Sequence, residues 1–276
     1  MKNYVGVDIG GTKMYLLGKV DDKYVEKKVK TGFNCTKEQI KTELDSFLKE
    51  LPFVPDGVGI AVPGLTSGPG RVEISDVVPG LNGVTADYFS ENRFNVRFIN
   101  DVNAAAVFEA ANYPDKHTIA VVMVGTGIGL GIISNGELFE GSRGWSCEIG
   151  ISLLCTENGI QNVDSLSSGA AILQASKCSP EEFSRQLEED DNKAKIIIEK
   201  AGFYFGITLS NIMYLYNPDI IVVGGSASTY KGYLEKAIGI AENFTLKKHF
   251  NCCEIVRPKD IKRMVALGAI EFIMQS

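Results

Sequence analysis

Val5-Gly6-Val7-Asp8-Ile9-Gly10-Gly11-Thr12-Lys13, running on into Met14-Tyr15-Leu16-Leu17-Gly18-Lys19-Val20, sets the plan of the whole chain. Two apolar, β-favouring runs flank a pair of glycines, which predicts a hairpin. Small residues at such a turn let backbone N–H groups approach an anion, and Thr12 and Lys13 add a hydroxyl donor and a cation. Asp8 precedes the turn, where a carboxylate could face a metal ion carried by that anion. An ordinary glycine hairpin with an exposed Asp and Lys is the competing reading of this stretch by itself.

The same device recurs. Thr118 to Val124 is an apolar strand that breaks at Gly125-Thr126-Gly127-Ile128-Gly129, resumes as Leu130 to Ser134 and turns at Asn135-Gly136. Ile220 to Val223 is a third strand, ending at Gly224-Gly225. The first two turns lead into further strand rather than into a helix, which excludes a Rossmann dinucleotide fingerprint, and there is no GxxxxGK[ST] loop. Two such turns on facing domains could hold a polyphosphate from both sides, with the third against a nucleoside.

The stretches between these turns complete a duplicated α/β pattern. Lys23 to Val29 alternates as a third strand. Ile40, Leu44, Phe47 and Leu48 recur at helical spacing between Thr36, the expected N-cap, and Leu51. Gly57 to Val62 is a buried strand stopped by Pro63-Gly64, and Arg97-Phe98-Ile99 is a short strand ending at Asn100-Asp101. Helices are expected at Val102–Asn112, Ser179–Glu188, Lys193–Leu215, Tyr233–Phe244 and Val265–Met274, with a short strand at Glu254-Ile255-Val256. Residues 141–169 read as irregular. A hinge is expected close to Asp101–Ala104.

Composition narrows the function classes. With 276 residues, 45% hydrophobic and 22% charged, the chain can bury the cores of two domains. A net charge of −6 argues against nucleic acid or an anionic membrane as the main partner. No apolar run reaches the ~20 residues of a membrane helix. Met1-Lys2-Asn3 opens no signal peptide, so Cys35, Cys147, Cys155, Cys178, Cys252 and Cys253 are expected as reduced thiols of a cytoplasmic protein. His117 and His249 are expected at the surface.

Asp8-Ile9-Gly10-Gly11-Thr12-Lys13, Asn100-Asp101-Val102-Asn103-Ala104-Ala105-Ala106, Gly125-Thr126-Gly127-Ile128-Gly129, Glu148-Ile149-Gly150 and Val223-Gly224-Gly225 occur in that order. Together they resemble the ROK family of sugar kinases and repressors, within the actin-like ATPase superfamily. The resemblance implies a two-lobed actin-like ATPase fold (ribonuclease H-like), with duplicated α/β domains around a central cleft. Residues 1–102 plus a C-terminal helix at about 264–276 would form the smaller domain, and residues 103–263 the larger.

The resemblance also assigns roles. Asp101 would be the catalytic base toward a sugar hydroxyl that attacks the γ-phosphate of ATP, a reaction that mostly demands positioning and charge stabilisation. Asp101 is equally apt as a plain helix N-cap. Asn100, Asp101, Glu148, Asp164 and Gly64 would bind the sugar, with Asn103 supporting. Gly10, Gly11, Thr12, Lys13, Gly125, Thr126 and Gly127 would hold phosphates. Gly224 and Gly225 would lie against adenosine, where a Cβ would clash. Asp8 would hold Mg²⁺ through water. A homodimer, no nucleic acid and no membrane are the implied associations.

Two departures from the family pattern matter. Ile151 stands where the family places a zinc-binding, sugar-contacting His after Glu-Ile-Gly. The stretch Glu157 to Asp164 carries none of the family's clustered cysteines, and Cys155 has no partner at ligand spacing, so no zinc is expected. Asp164 aligns with a sugar-binding Glu and is one methylene shorter. An apolar Ile151 could pack on an N-acetyl methyl, which favours an N-acylhexosamine, N-acetylmannosamine in particular, alongside glucose. The leading expectation is therefore an ATP- and Mg²⁺-dependent sugar 6-kinase, with a glucokinase as the alternative. A non-catalytic sugar-sensing regulator is the alternative of another class. The repressors' helix-turn-helix precedes the kinase-like fold, whereas this sequence opens on its first strand.

Overall fold

The computed structural model describes residues 2–20 and 23–275 and divides into two units. The first comprises Met1–Asn112, Leu138–Ser146 and Lys262–Ser276, and the second Tyr113–Glu137 and Cys147–Ile261. Ser276, the end of the expected C-terminal helix, lies outside the described residues.

In the first unit β1 (Tyr4–Ile9), β2 (Lys13–Val20) and β3 (Lys23–Lys30) form an antiparallel meander. The chain then crosses through α1 (Lys37–Glu50) to β4 (Gly57–Val62). Short strands β5 (Leu65–Thr66) and β6 (Val72–Ile74) and helix α2 (Ala86–Ser90) lead to β7 (Asn95–Asn100) and α3 (Asp101–Asn112). The sheet order is β3-β2-β1-β4-β7, with β4 parallel to both β1 and β7. Every residue of β4 is buried, as a strand in the middle of the sheet requires. Thr36 does cap α1: its side chain accepts from the Gln39 amide, and the Gln39 side chain accepts in return from the Thr36 amide at 2.9 Å.

The second unit repeats the plan with β8 (Thr118–Val124), β9 (Ile128–Ser134) and the edge strand β10 (Glu137–Leu138). The hairpin β11 (Leu153–Thr156) and β12 (Gly159–Asn162) follows, then helices α4 (Val163–Ser167), α5 (Gly169–Ser176), α6 (Pro180–Glu188) and α7 (Asn192–Tyr216). The unit closes with β13 (Ile220–Gly224), α8 (Tyr233–Phe244), α9 (Lys247–Phe250) and β14 (Glu254–Val256). Its sheet order, β10-β9-β8-β13-β14, mirrors the first: an antiparallel hairpin, then parallel strands. The last helix, α10 (Met264–Met274), returns to the first unit and packs on β1, β4 and α3.

The structure differs from the sequence expectations in three places. The boundary expected between residues 102 and 103 cuts off α3, whereas the whole of α3 belongs to the first unit because it packs along α10. Residues 141–169 are not wholly irregular. They hold β11, β12 and α4, with Thr156 paired to Gly159 across the turn Glu157-Asn158. Asn158-Gly159 is the sequence signal for this turn, with Gly159 at φ +98°. His249 is not a plain surface residue: its ring meets Tyr214 edge-on at 5.5 Å and its Nδ1 is buried. Asp191 caps α7, and its carboxylate accepts from the Lys193 and Ala194 amides at 2.9 Å.

Among the described residues all six cysteines are free, and no helix is long and apolar enough to cross a membrane.

Candidate active site

In the first unit the chemistry gathers at the carboxyl ends of β1, β4 and β7, the edge where open α/β sheets hold ligands. Asp8 is the penultimate residue of β1 and sits opposite Ala61 of β4, while Val62 of β4 sits opposite Asn100 of β7. Asp101 follows as the first residue of α3. Asp8 is raised from 3.8 to about 7, first by burial, then by the charge of Asp101, with Lys13 pulling the other way. The two carboxylates therefore feel one another, as sequence distance alone would not reveal.

The cap of α3 is Asn100 rather than Asp101 alone. Asn100 Oδ1 accepts from the Val102 amide at 2.9 Å and the Asn103 amide at 3.1 Å. Asp101 Oδ1 shares the Val102 amide at 2.9 Å. Asn100 Nδ2 donates to the Gly64 carbonyl at 3.1 Å, which leaves its second N–H for another acceptor. Gly64 thus meets the site as the group that orients Asn100.

Beside Asp8 the turn Gly10–Lys13 is solvent-facing, with Thr12 and Lys13 exposed. The Gly10 amide donates to the Lys13 carbonyl at 2.9 Å. The Gly10 carbonyl instead accepts from Thr31 Oγ1 at 2.6 Å, and the Thr12 carbonyl accepts from the Thr31 amide at 3.0 Å. Thr31 carries no sequence signal beyond standing at the end of a strand.

In the second unit the turn Gly125–Gly129 is held from behind by α5. The Gly169 amide donates to the Gly125 carbonyl at 2.8 Å and the Ala170 amide to the Thr126 carbonyl at 3.3 Å. Thr126 and Gly127 are exposed. The Ile128 amide donates to Asp164 Oδ1 at 2.7 Å, so this carboxylate braces the turn. It also fills the space beside Gly127 and Gly150 that side chains there would need.

Glu148 and Asp164, distant in the expected loop, are neighbours. Burial and then the charge of Asp164 raise Glu148, and burial raises Asp164 against the opposing pull of the Ile128 amide. Cys147, just before Glu148, holds φ +66°, a region that favours glycine. Ile151 lies in a short 3-10 turn, 63% exposed. Gly225 has its own internal reason to be glycine: φ is +87° and a Cβ would meet the Val124 carbonyl oxygen at 2.4 Å. Among the described residues there is no group of three or more His, Cys, Asp or Glu placed to hold a metal ion.

Comparison with known proteins fits this geometry. The ROK family profile matches residues 4–276, and the chain belongs to the ROK family. An N-acetylmannosamine kinase of Vibrio vulnificus is 24% identical over 258 residues, covering 84% of this chain and 85% of that protein. The xylose repressor of Bacillus subtilis is 29% identical over 215 residues, 69% of this chain and 54% of that protein. Among solved structures, a ROK family glucokinase from Streptomyces griseus in complex with glucose and AMPPNP superposes with a TM-score of 0.82. It is 20% identical, and the match covers 99% of this chain and 100% of that one. The fold is thus the actin-like ATPase fold of these proteins.

Proposed function

We propose that the protein is a sugar kinase that transfers the γ-phosphoryl group of ATP to the 6-hydroxyl of a hexose or N-acylhexosamine, N-acetylmannosamine foremost. The observation that carries this reading is the electrostatic pairing of Asp8 and Asp101 beside the exposed turn Gly10–Lys13. The kinase and glucokinase relatives support it.

Asp101 is the group that accepts the hydroxyl proton. As it does so, the sugar oxygen forms its bond to the γ-phosphorus and the bridging oxygen leaves with the ADP. The N-terminus of α3 stabilises Asp101 as an anion before the transfer. Asn100, oriented by Gly64 and by the first amides of α3, offers its remaining N–H to a sugar hydroxyl. In the second unit, Glu148 offers a carboxylate acceptor and exposed Ile151 an apolar surface, groups that suit a hydroxyl and an N-acetyl methyl. The turns Gly10–Lys13 and Gly125–Gly127 present amides to phosphate oxygens.

Mg²⁺ fits the donor set. A carboxylate raised first by burial and then by a second carboxylate, offset by Lys13, suits an ion that takes one or two carboxylates and keeps much of its water. When bound it would neutralise charge on the phosphates, with Asp8 as its protein anchor.

The test is ADP release from ATP with N-acetylmannosamine, N-acetylglucosamine and glucose, for the wild type and Asp101→Asn. Turnover of an N-acylhexosamine that falls about 10³-fold in Asp101→Asn is the expected result. Activity that survives the substitution removes the base. Much faster turnover of glucose makes the protein a glucokinase. No turnover of any sugar favours a sugar-sensing regulator.

A further inference from the structure

We propose that Thr31 is a positioning residue that sets the direction of the amides in the Gly10–Lys13 turn and so gives that turn its affinity for phosphate. The inference rests on the kinase reading above for its ligand, a nucleoside triphosphate with Mg²⁺.

A trans peptide is planar, so its carbonyl and N–H point in opposite directions. Holding a carbonyl on one side of a turn therefore aims the N–H of the next residue to the other side. Thr31 holds two carbonyls at once: Gly10 through its hydroxyl at 2.6 Å and Thr12 through its amide at 3.0 Å. The corresponding N–H groups, those of Gly11 and Lys13, face away from Thr31. Outside the strand ladders, and among the described residues, no backbone carbonyl accepts from Gly11 or Thr12. The usual closing bond of a tight hairpin, Lys13 amide to Gly10 carbonyl, is not made, although its reverse is present at 2.9 Å.

The turn thus keeps the Gly10 and Thr12 carbonyls turned toward Thr31 and the N–H groups of Gly11 and Lys13 turned away from it. With the Gly10 peptide turned over, a carbonyl oxygen would stand where an amide stands and would repel a phosphate oxygen. The hydroxyl of Thr31 guards against that inversion, since Gly10 and Gly11 have little conformational preference of their own. The requirement is for a hydroxyl on a short side chain. Valine keeps the shape of threonine and loses the donor, while serine keeps the donor.

Calorimetric titration with Mg²⁺-AMPPNP tests this on the wild type, Thr31→Val and Thr31→Ser. The expected result is an affinity about tenfold weaker in Thr31→Val, restored to within about threefold by Thr31→Ser. In the kinase assay the KM for ATP should rise in Thr31→Val while the KM for the sugar stays unchanged. Amide hydrogen exchange on the wild type gives a readout that needs no variant to fold. Gly11 and Lys13 should exchange fast without nucleotide and become protected by Mg²⁺-AMPPNP. Wild-type affinity in Thr31→Val, no recovery in Thr31→Ser, or protection of those amides without nucleotide each overturns the inference. A wild type that does not bind Mg²⁺-AMPPNP overturns the kinase reading itself, and the assignment of Thr31 with it.

Discussion

The two glycine turns of this protein look alike in sequence and are held in different ways. Gly10–Lys13 is fixed by one side chain and one amide of Thr31, at the end of β3, which is the edge strand of its sheet. Gly125–Gly129 is fixed by the first amides of α5 and by the carboxylate of Asp164. In both, two carbonyls of the turn accept from donors behind it: Gly10 and Thr12 in the first, Gly125 and Thr126 in the second. The difference teaches where each turn is vulnerable. Truncating the Thr31 side chain loosens the first, whereas side-chain truncation leaves the helix amides behind the second in place, so there the vulnerable side chain is Asp164.

The turns also differ in the charge beside them, and the largest predicted effect follows from that. Asp8 holds its proton up to about pH 7, whereas an unfolded chain releases it near the ordinary 3.8. The folded state therefore binds more protons across that window, and its stability falls as pH rises from about 4 to about 7. Asp8→Asn should remove this slope and be more stable than the wild type at about pH 8, by on the order of 3 kcal/mol in chemical denaturation. The same substitution should lower sugar turnover about a hundredfold or more, because the anchor proposed for Mg²⁺ is gone. Mg²⁺-nucleotide binding to the wild type should weaken below about pH 7, as Asp8 takes up its proton. Equal pH slopes in the two proteins would remove the electrostatic contrast between the turns.

Asp164→Ala comes next. It leaves the Ile128 amide without its acceptor, at a cost of about 2 kcal/mol, read as a lower denaturation midpoint. If Asp164 chiefly braces the turn, the KM for ATP should rise more than the KM for the sugar. The opposite split would restore Asp164 to the sugar-contacting role that family resemblance implied.

The smallest effect concerns β3, the strand that leads directly into Thr31. Glu26 of β3 pairs with Lys262 and Arg263, which hold it at about 2, well below the usual carboxylate range. Its contribution is present above about pH 4.5 and is lost as pH falls through about 2. Glu26→Gln should cost about 1 kcal/mol at neutral pH, discounted because its partners are partly exposed. An unchanged midpoint would mean that packing of β2 alone keeps β3, and hence Thr31, in place.

Much of this was legible in the chain. The hairpin of β1 and β2, the buried strands β4, β8 and β13, and the long amphipathic helices announce themselves by period and by their flanking glycines and caps. The hairpin of β11 and β12 was missed despite Asn158-Gly159, because its strands expose Leu153 and Ile160, at 69% each, and so lack the usual buried face. The short helices α2 and α9 are too brief to show a period. Within the site, Asp8 and Asp101 were marked by their motifs. Thr31 was not, since its importance lies in reaching Gly10, 21 residues back along the chain.

The sequence by itself determined the strands, the two glycine turns and the acidic residues placed beside them, because these rest on local preferences and on side-chain size. Only the tertiary structure decided that Asp8 keeps its proton near neutrality, that Asn100 rather than Asp101 alone caps α3, and that Asp164 braces a turn. Each of these depends on burial and on groups brought from elsewhere in the chain, and those are properties of the folded arrangement rather than of any stretch within it.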